Sequence, residues 1–233
     1  ISSKWKVHIS EHDMDRMKCL YRRSITYVNK NIESLLTTME DQDLLSDSLI
    51  IITSDHGEAF FEHGVLGHPF DALYDENLRV PLIIYSPCKS EATIYSQLVQ
   101  HRELAPTTLE LLGVKSPKIW LGTRSSFQKA IFAESAYINP LQMTIDRRRY
   151  IIAVINERYK LIFNKEGRVE LYDLKLDSKE TNNIAHSNMN IVKHMMSLIN
   201  RYIVSLKISH IKYKLFYHNL IKRRKDTQSS VHK

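Results

Sequence analysis

An aspartate and a histidine stand side by side directly after a short apolar run, in a pattern that could bind a metal ion. Asp55 and His56 follow the apolar residues 49–53. A carboxylate and an imidazole together can bind a divalent cation. His63 and His68 come next, in a glycine-flanked loop that can fold back over the same place. The spacing alone leaves a second interpretation open, in which Asp55 caps a helix and the histidines are surface residues.

The segments around this pair predict a layered α/β domain. Apolar residues recur every three or four positions between residues 11 and 45, which predicts a long helix. The β-branched run 49–53 fits a strand buried on both faces of a parallel sheet, and ligands in such folds bind beyond the carboxyl ends of strands. A second strand is predicted at 81–85 and a short helix at 106–112. This alternation of helices and strands is typical of an α/β layered domain.

The pattern changes after residue 130. Short apolar segments separated by turn residues predict an antiparallel meander with strands at 131–133, 150–155, 158–163 and 169–172. An amphipathic helix is predicted over residues 189–206. We therefore expect three regions, which are an α/β region at 1–130, a small antiparallel sheet with its helix at 131–206, and a basic tail at 207–233.

The basic tail supplies much of the formal net charge of +7. Its apolar residues fall roughly on one helical face, which favours a terminal helix packed on the domain with a solvated basic face. A helix lying on an anionic membrane surface is the second interpretation. Nucleic-acid binding is the least favoured, because nothing else in the sequence resembles a nucleic-acid-binding module.

The composition is that of an ordinary globular protein, with 43% hydrophobic and 25% charged residues in 233. No run approaches the roughly 20 apolar residues that span a bilayer. The first residues contain no apolar signal core. The compartment is therefore left unassigned.

A set of motifs in fixed order resembles the second half of the sulfatase family, within the alkaline phosphatase superfamily. The motifs are Ser-Asp-His-Gly-Glu at 54–58, Glu-His-Gly at 62–64, Gly-His at 67–68, Leu-Tyr-Asp-Glu at 73–76 and Arg-Val-Pro-Leu-Ile at 79–83. Flanking segments agree, including Leu-Ala-Pro-Thr at 104–107 and Glu-Leu-Tyr-Asp-Leu at 170–174. The resemblance covers roughly residues 14 to 186 and implies an alkaline-phosphatase-like sheet layered with helices, present in part.

The resemblance also implies a chemistry, the hydrolysis of sulfate esters on a sulfated small molecule or carbohydrate. Such enzymes hold one Ca²⁺ with aspartates from an earlier strand and an Asp-Asn or Asp-His pair from a later one, and Asp55 and His56 match that pair. The nucleophile is a formylglycine hydrate. His68 falls where relatives place a lysine or histidine that contacts the sulfate or the leaving oxygen, so we expect it to stabilise charge or act as general acid.

Two further residues are candidates for the pocket. His63 either lines the pocket or holds the loop by a hydrogen bond, and we favour the structural role. Arg79 precedes the second predicted strand, which we expect to be buried, so a buried ion pair that braces the loop is favoured over substrate contact. Glu58 and Glu62 are either groups that support the site or solvated residues, and the sequence does not decide between these roles.

The motif that carries the sulfatase nucleophile does not occur in this sequence. Neither Cys19 nor Cys88 stands in a Cys/Ser-x-Pro/Ala-x-Arg context, and no tandem Asp-Asp follows an apolar strand. The family has both features in its N-terminal half. We therefore expect the chain to be a fragment that needs this half as its partner and is inactive alone.

Two other functions stay open. A phosphodiesterase or phosphonate monoester hydrolase of the same superfamily would share the Asp-His-Gly motif and would use Mn²⁺ or Zn²⁺. A truncated, non-catalytic product acting as a binding module is the third. The identity of the nucleophile separates the first two, because Cys or Ser before Pro-x-Arg indicates a sulfatase and Thr indicates phosphoryl transfer.

Overall fold

The computed structural model describes residues 9–88, 91–117, 130–139, 144–164 and 166–206. The chain divides into two compact units, Ile1–Ile94 and Tyr95–Lys233. This division lies earlier in the chain than the expected boundary at residue 130. Within the second unit, the Gln100 side-chain oxygen accepts a hydrogen bond from the Phe132 backbone N–H at 3.2 Å, which ties the segment before residue 130 to the sheet after it.

The first unit begins with the predicted long helix, α1, at Glu11–Asp41. Ser10 caps it, because its hydroxyl accepts the Asp13 N–H at 3.2 Å while the Asp13 carboxylate accepts the Ser10 N–H at 3.1 Å. None of the 31 residues of α1 is buried, and its apolar stripe is largely exposed. Its contacts include an edge-to-face packing of Tyr21 on Phe60, with ring centroids 5.2 Å apart.

Two strands of the first unit pair in antiparallel fashion. The strand β1, Ile50–Thr53, pairs with a later strand that runs from Leu82 to Tyr85. β1 is at most half-buried and the later strand is exposed along its whole length. The predicted strand positions are confirmed, whereas the prediction of a parallel sheet that buries β1 on both faces is wrong for the described residues. One antiparallel neighbour cannot cover the two faces of an apolar strand.

A small hairpin and a short helix lie between these two strands. The hairpin consists of β2, Ala59–Phe60, and β3, Leu66–Gly67, and α2 follows at Asp75–Leu78. The strand Leu82–Tyr85 is β4.

The second unit contains the predicted short helix and the predicted meander. The helix is α3, Leu104–Leu111. It ends in a Schellman motif, because Gly113 has φ +70° and Val114 N–H donates to the Leu109 carbonyl at 2.7 Å. The strands are β5, Ala130–Asn139; β6, Thr144–Asn156; β7, Tyr159–Asn164; and β8, Val169–Asp173, in the order β5-β6-β7-β8 with every pair antiparallel.

The core of the second unit forms between this sheet and the helix α4, residues 189–206. Buried side chains from both elements make one apolar cluster, which includes Ile152, Val154, Leu161, Leu171, Met195 and Ile199. The amphipathic helix predicted from the sequence is confirmed, and its apolar face supplies five of the twelve buried residues of this cluster.

The tail at 207–233 lies outside the described residues, so its predicted membrane contact stays a prediction. Within the described ranges, no helix combines the length and the apolar character needed to cross a bilayer.

Candidate metal and substrate site

The site begins where β1 ends. Ser54 donates its hydroxyl hydrogen to the His56 carbonyl at 2.7 Å, and the Asp55 Oδ1 accepts the His56 backbone N–H at 3.0 Å. These short-range bonds turn the chain directly after the strand. The hydrogen bond from the His56 backbone lowers the pKa of the Asp55 carboxyl. The Asp55 side chain is 86% exposed and anionic at neutral pH, so it is available to a cation.

The side chains of Asp55 and His56 lie close enough to hold one ion between them. The Asp55 Oδ2 is 3.6 Å from the His56 Nε2. Two ligand atoms at a right angle on Ca²⁺, with bonds of about 2.4 Å, would lie about 3.4 Å apart. The His56 Nδ1 donates to the Gly57 carbonyl at 2.9 Å, which leaves the lone pair on Nε2 free for a metal. The pair therefore fits part of a divalent-cation site, and further oxygen ligands must complete it for Ca²⁺.

The hairpin places two more polar side chains at the same location. Ala59 pairs with Gly67, so that Glu58 and His68 lie just outside this pair on the two arms. The His68 Nδ1 donates to the Glu58 Oε2 at 3.1 Å. The His68 ring lies against the His56 ring, with centroids 4.0 Å apart. The structure thus brings together the predicted residues Asp55, His56 and His68.

Glu58 is a site residue that the sequence analysis left undecided. Its carboxylate contacts the His68 imidazole and is about two-thirds buried. Glu62 differs, because it forms an ion pair with Lys18 of α1 at 3.3 Å. The signal in the sequence that separates them is weak, because it is only the register of a two-residue hairpin, which places position 58 opposite position 68.

His63 is part of a contact with α2. Its Nδ1 contacts the Glu76 carboxylate, its ring stacks on Tyr74 with centroids 3.7 Å apart, and only 10% of its side chain is exposed. These contacts fasten the loop to the helix, which supports a structural role for His63. Its role in the pocket stays a prediction.

Arg79 follows the last residue of α2, where its backbone N–H donates to the Asp75 carbonyl at 2.8 Å. The residue is exposed, and across the described residues its guanidinium forms no ion pair. Among the described residues, the buried ion pair expected at Arg79 is therefore not formed. The reason is that β4, which Arg79 precedes, is itself exposed rather than buried.

Gly57 holds the site against α2. Its N–H donates to the Asn77 carbonyl at 2.9 Å, and Asn77 is buried. A Cβ on residue 57 would lie 2.0 Å from the Glu76 carbonyl oxygen. Only glycine allows this close approach of backbone to backbone, so the positions of His56 and Glu58 depend on it.

Two family models match the chain. The sulfatase model matches residues 6–114, and the model described as N-sulphoglucosamine sulphohydrolase, C-terminal, matches residues 62–205. An N-acetylglucosamine-6-O-sulfatase of Bacteroides thetaiotaomicron is 31% identical over 179 residues, which are 70% of this chain and 31% of that protein. The chain spans about a third of the length of the curated relatives it matches.

Solved structures share the mixed α/β fold with its small antiparallel sheets. One, determined in complex with its substrate D-glucosamine-2-N,6-O-disulfate, has a TM-score of 0.58 and 26% identity, covering 76% of this chain and 38% of that one. The phosphonate monoester hydrolase of Agrobacterium radiobacter has a TM-score of 0.70 and 20% identity, covering 87% and 43%. This chain belongs to the sulfatase family of the alkaline phosphatase superfamily.

Proposed function

We propose that this chain is the part of a sulfatase that completes the cation site and contacts the substrate, and that the substrate is a sulfated carbohydrate. One observation carries the proposal. Asp55, His56 and His68 lie together at the end of one strand, in a chain of the sulfatase family. The relative with sulfatase activity on N-acetylglucosamine 6-sulfate groups and the neighbour bound to a disulfated glucosamine support a sulfated sugar as the ligand.

Asp55 and His56 would hold a divalent cation, and Ca²⁺ is the ion we propose. When bound, such an ion orients the sulfate oxygens and offsets their negative charge. The exposed carboxylate of Asp55 and the unprotonated Nε2 of His56 are the two ligands that the chain supplies. The remaining ligands and the formylglycine nucleophile would come from an N-terminal half of the same domain.

His68 would act on the departing alcohol or on the sulfate. Its Nδ1 donates to the Glu58 carboxylate, which fixes the orientation of the ring and turns Nε2 away from Glu58. A proton carried on Nε2 can pass to the leaving oxygen as the ester bond to sulfur breaks. Glu58 therefore acts as a positioning residue for His68. The His68 side chain is 57% exposed, so a substrate can reach it.

The exposed apolar surfaces of the first unit support the proposal of an N-terminal half as partner. The stripe on α1 leaves Leu20, Ile25 and Leu35 about half exposed, and β4 exposes Ile83. Large apolar side chains left exposed on a helix and a strand are typical of a surface that another segment covers. Without that half, we expect the chain to bind Ca²⁺ weakly, because two side chains are too few ligands, and to hydrolyse no ester.

The test uses the intact protein that contains this chain together with the N-terminal half. We expect hydrolysis of glucosamine 6-sulfate, and we expect Asp55→Ala to lower kcat/KM for the sulfate ester by about 10²–10³-fold, as is typical for removal of one group that stabilises transition-state charge. His194→Gln, which changes an exposed histidine on α4, is the matched control and should keep full activity. Full activity in Asp55→Ala would refute the cation assignment.

A second candidate function is phosphonate monoester hydrolysis, which the fold similarity to the Agrobacterium radiobacter enzyme favours. In that case the intact protein would use Mn²⁺ or Zn²⁺ and would prefer a phenyl phosphonate monoester to the sulfate ester. The ratio of kcat/KM values for the two substrates, measured with each metal ion, distinguishes the candidates. No turnover of either ester by the intact protein would favour a non-catalytic binding module.

A further inference from the structure

Three side chains of the first unit have the donor types of a transition-metal site. His56, Glu58 and His68 each offer one ligand atom, and these three atoms lie within 4.8 Å of one another. The two imidazole rings are 4.0 Å apart between centroids and are tilted by 32°. Two imidazoles and one carboxylate form the protein part of many zinc sites that keep a fourth position open.

The spacing of the ligand atoms suits a small ion. Zinc bonds of about 2.1 Å, at angles between 90° and the tetrahedral value, separate two ligand atoms by about 3.0–3.4 Å. The His68 Nδ1 and the Glu58 Oε2 are 3.1 Å apart, so a metal ion can replace the proton that they share. The side chains of His56 and His68 are 42% and 57% exposed, so core packing does not hold either ring in place.

The backbone supports all three ligands. The hydrogen bond from the His56 Nδ1 to the Gly57 carbonyl fixes the tautomer that leaves Nε2 free, as is common for histidine ligands. Glu58 and His68 flank the Ala59–Gly67 pair of the hairpin. Two of the three ligands thus stand directly beside paired backbone, which limits how far they can move apart.

The ligand atoms of His56, Glu58 and His68 favour a different ion from the one that the Asp55–His56 pair favours. Ca²⁺ prefers six to eight oxygen ligands, whereas imidazole nitrogen favours Zn²⁺, Cu²⁺ and Ni²⁺. His56 is common to both sets, Asp55 belongs only to the calcium set, and Glu58 and His68 belong only to the second.

We propose that His56, Glu58 and His68 form a binding site for a divalent transition-metal ion of the zinc class. Because this ion would use both imidazoles, its binding excludes Ca²⁺ from His56 and places a cation on the His68 ring that the proposed function assigns to the substrate. This last consequence, inhibition of the hydrolase by zinc, rests on the proposed function, whereas the binding site itself rests only on the geometry.

Titration of the full chain with ZnCl₂ by isothermal calorimetry tests the site. We expect His56→Gln, Glu58→Gln and His68→Gln each to lower the affinity of the tightest zinc site by at least about tenfold. Loss even of a group that only supports a ligand lowers metal affinity about 10–100-fold. Asp55→Asn and the matched control His194→Gln should change the affinity by less than about twofold. The chain has 11 histidines, so weak sites elsewhere will appear in every variant and can be subtracted.

Unchanged zinc affinity in both Glu58→Gln and His68→Gln would overturn the proposal, and so would an equal loss in Asp55→Asn. A second measurement, on the unaltered chain, covers the case of a variant that does not fold. The imidazole proton NMR signals of His56 and His68 should shift on addition of Zn²⁺, while that of His194 stays in place, and the reverse pattern would also overturn it. The Asp55→Ala assay on the sulfate ester is independent of these outcomes, so the two proposals can fail separately.

Discussion

Replacing Gly57 by alanine should displace the ligands of the candidate site, because the added methyl group would collide with α2. The added Cβ would lie 2.0 Å from the Glu76 carbonyl oxygen and 3.0 Å from its carbonyl carbon. Non-bonded heavy atoms are most favourable at roughly 3.5 Å, so the strand end and α2 must separate by more than about 1 Å. That movement breaks the hydrogen bond from Gly57 to the Asn77 carbonyl and displaces His56 and Glu58, the two neighbours of residue 57.

The free energy of unfolding should fall by about 2–4 kcal/mol in Gly57→Ala. Overpacking contributes about 1–3 kcal/mol and the lost hydrogen bond about 1 kcal/mol. Guanidinium unfolding followed by circular dichroism measures this loss. Calorimetry should also show that the affinities for Ca²⁺ and Zn²⁺ drop by at least about tenfold, because the ligands are no longer held in register.

Gly64→Ala is the matched control for this substitution. Gly64 has φ +72°, and a Cβ there would meet no heavy atom within 4 Å. Its cost is therefore only the left-handed backbone strain of about 1–2 kcal/mol, and metal affinity should change by less than about twofold. Equal effects of Gly57→Ala and Gly64→Ala on metal affinity would show that the approach of strand end to α2 does not position the ligands.

Two further predictions concern the second unit. Lys160→Met should lower the free energy of unfolding by about 3–5 kcal/mol, because it leaves the Glu180 carboxylate buried without its ion-pair partner at 2.6 Å. In chemical denaturation, the double variant Lys160→Met/Glu180→Leu should recover most of this loss. If Lys160→Met lowered the free energy of unfolding no more than the exposed control Lys193→Met does, the argument would be contradicted. The hydrogen bond from Arg158 lowers the pKa of the Asp173 carboxyl, so its stabilising contribution is present above the unfolded pKa of about 4 and is lost as the pH falls through the folded value. Asp173→Asn should remove the share of the acid-induced loss of stability that comes from this carboxyl. Thermal unfolding followed over a range from about pH 5 to about pH 2 measures the difference.

The meander was predictable because its signals are local. The turn at Asn156 illustrates this, since the Asn156 side chain accepts the N–H groups of Arg158 at 2.9 Å and Tyr159 at 2.7 Å. Asparagine in this role stabilises a turn through bonds to residues only two and three positions ahead. Gly167, with φ +99°, makes the next turn by a conformation that other residues adopt at a cost. Short apolar segments between such turns leave few other arrangements.

The burial of β1 was not predictable from its own residues. An apolar run such as Ile50–Thr53 indicates a strand, but the number of neighbours and the cover on each face depend on segments far away in the chain. In the described residues β1 has one antiparallel neighbour, β4, and remains at most half-buried. The expected environment of Arg79 failed for the same reason, because it was inferred from the burial of β4.

The candidate site was predictable in its residues and less so in its contacts. The motif order indicated Asp55, His56 and His68, and the structure brings these three together. The contact between Glu58 and His68 depends on the hairpin register, which a two-residue strand hardly reveals in a sequence. Residue types therefore indicated the members of the candidate site, and the pairing of backbone groups determined which carboxylate lies beside His68.

The short hairpin has a consequence for how the proposed metal sites form as the chain folds. Every residue of the proposed metal sites lies between Asp55 and His68, and the bonds that arrange them join residues close in sequence. Contacts of such low sequence separation form quickly and depend little on distant parts of the chain. The geometry of the ligand cluster thus depends on residues 54–78, which include its support on α2. Substitutions in the meander of the second unit should leave this geometry unchanged even where they lower the stability of that unit.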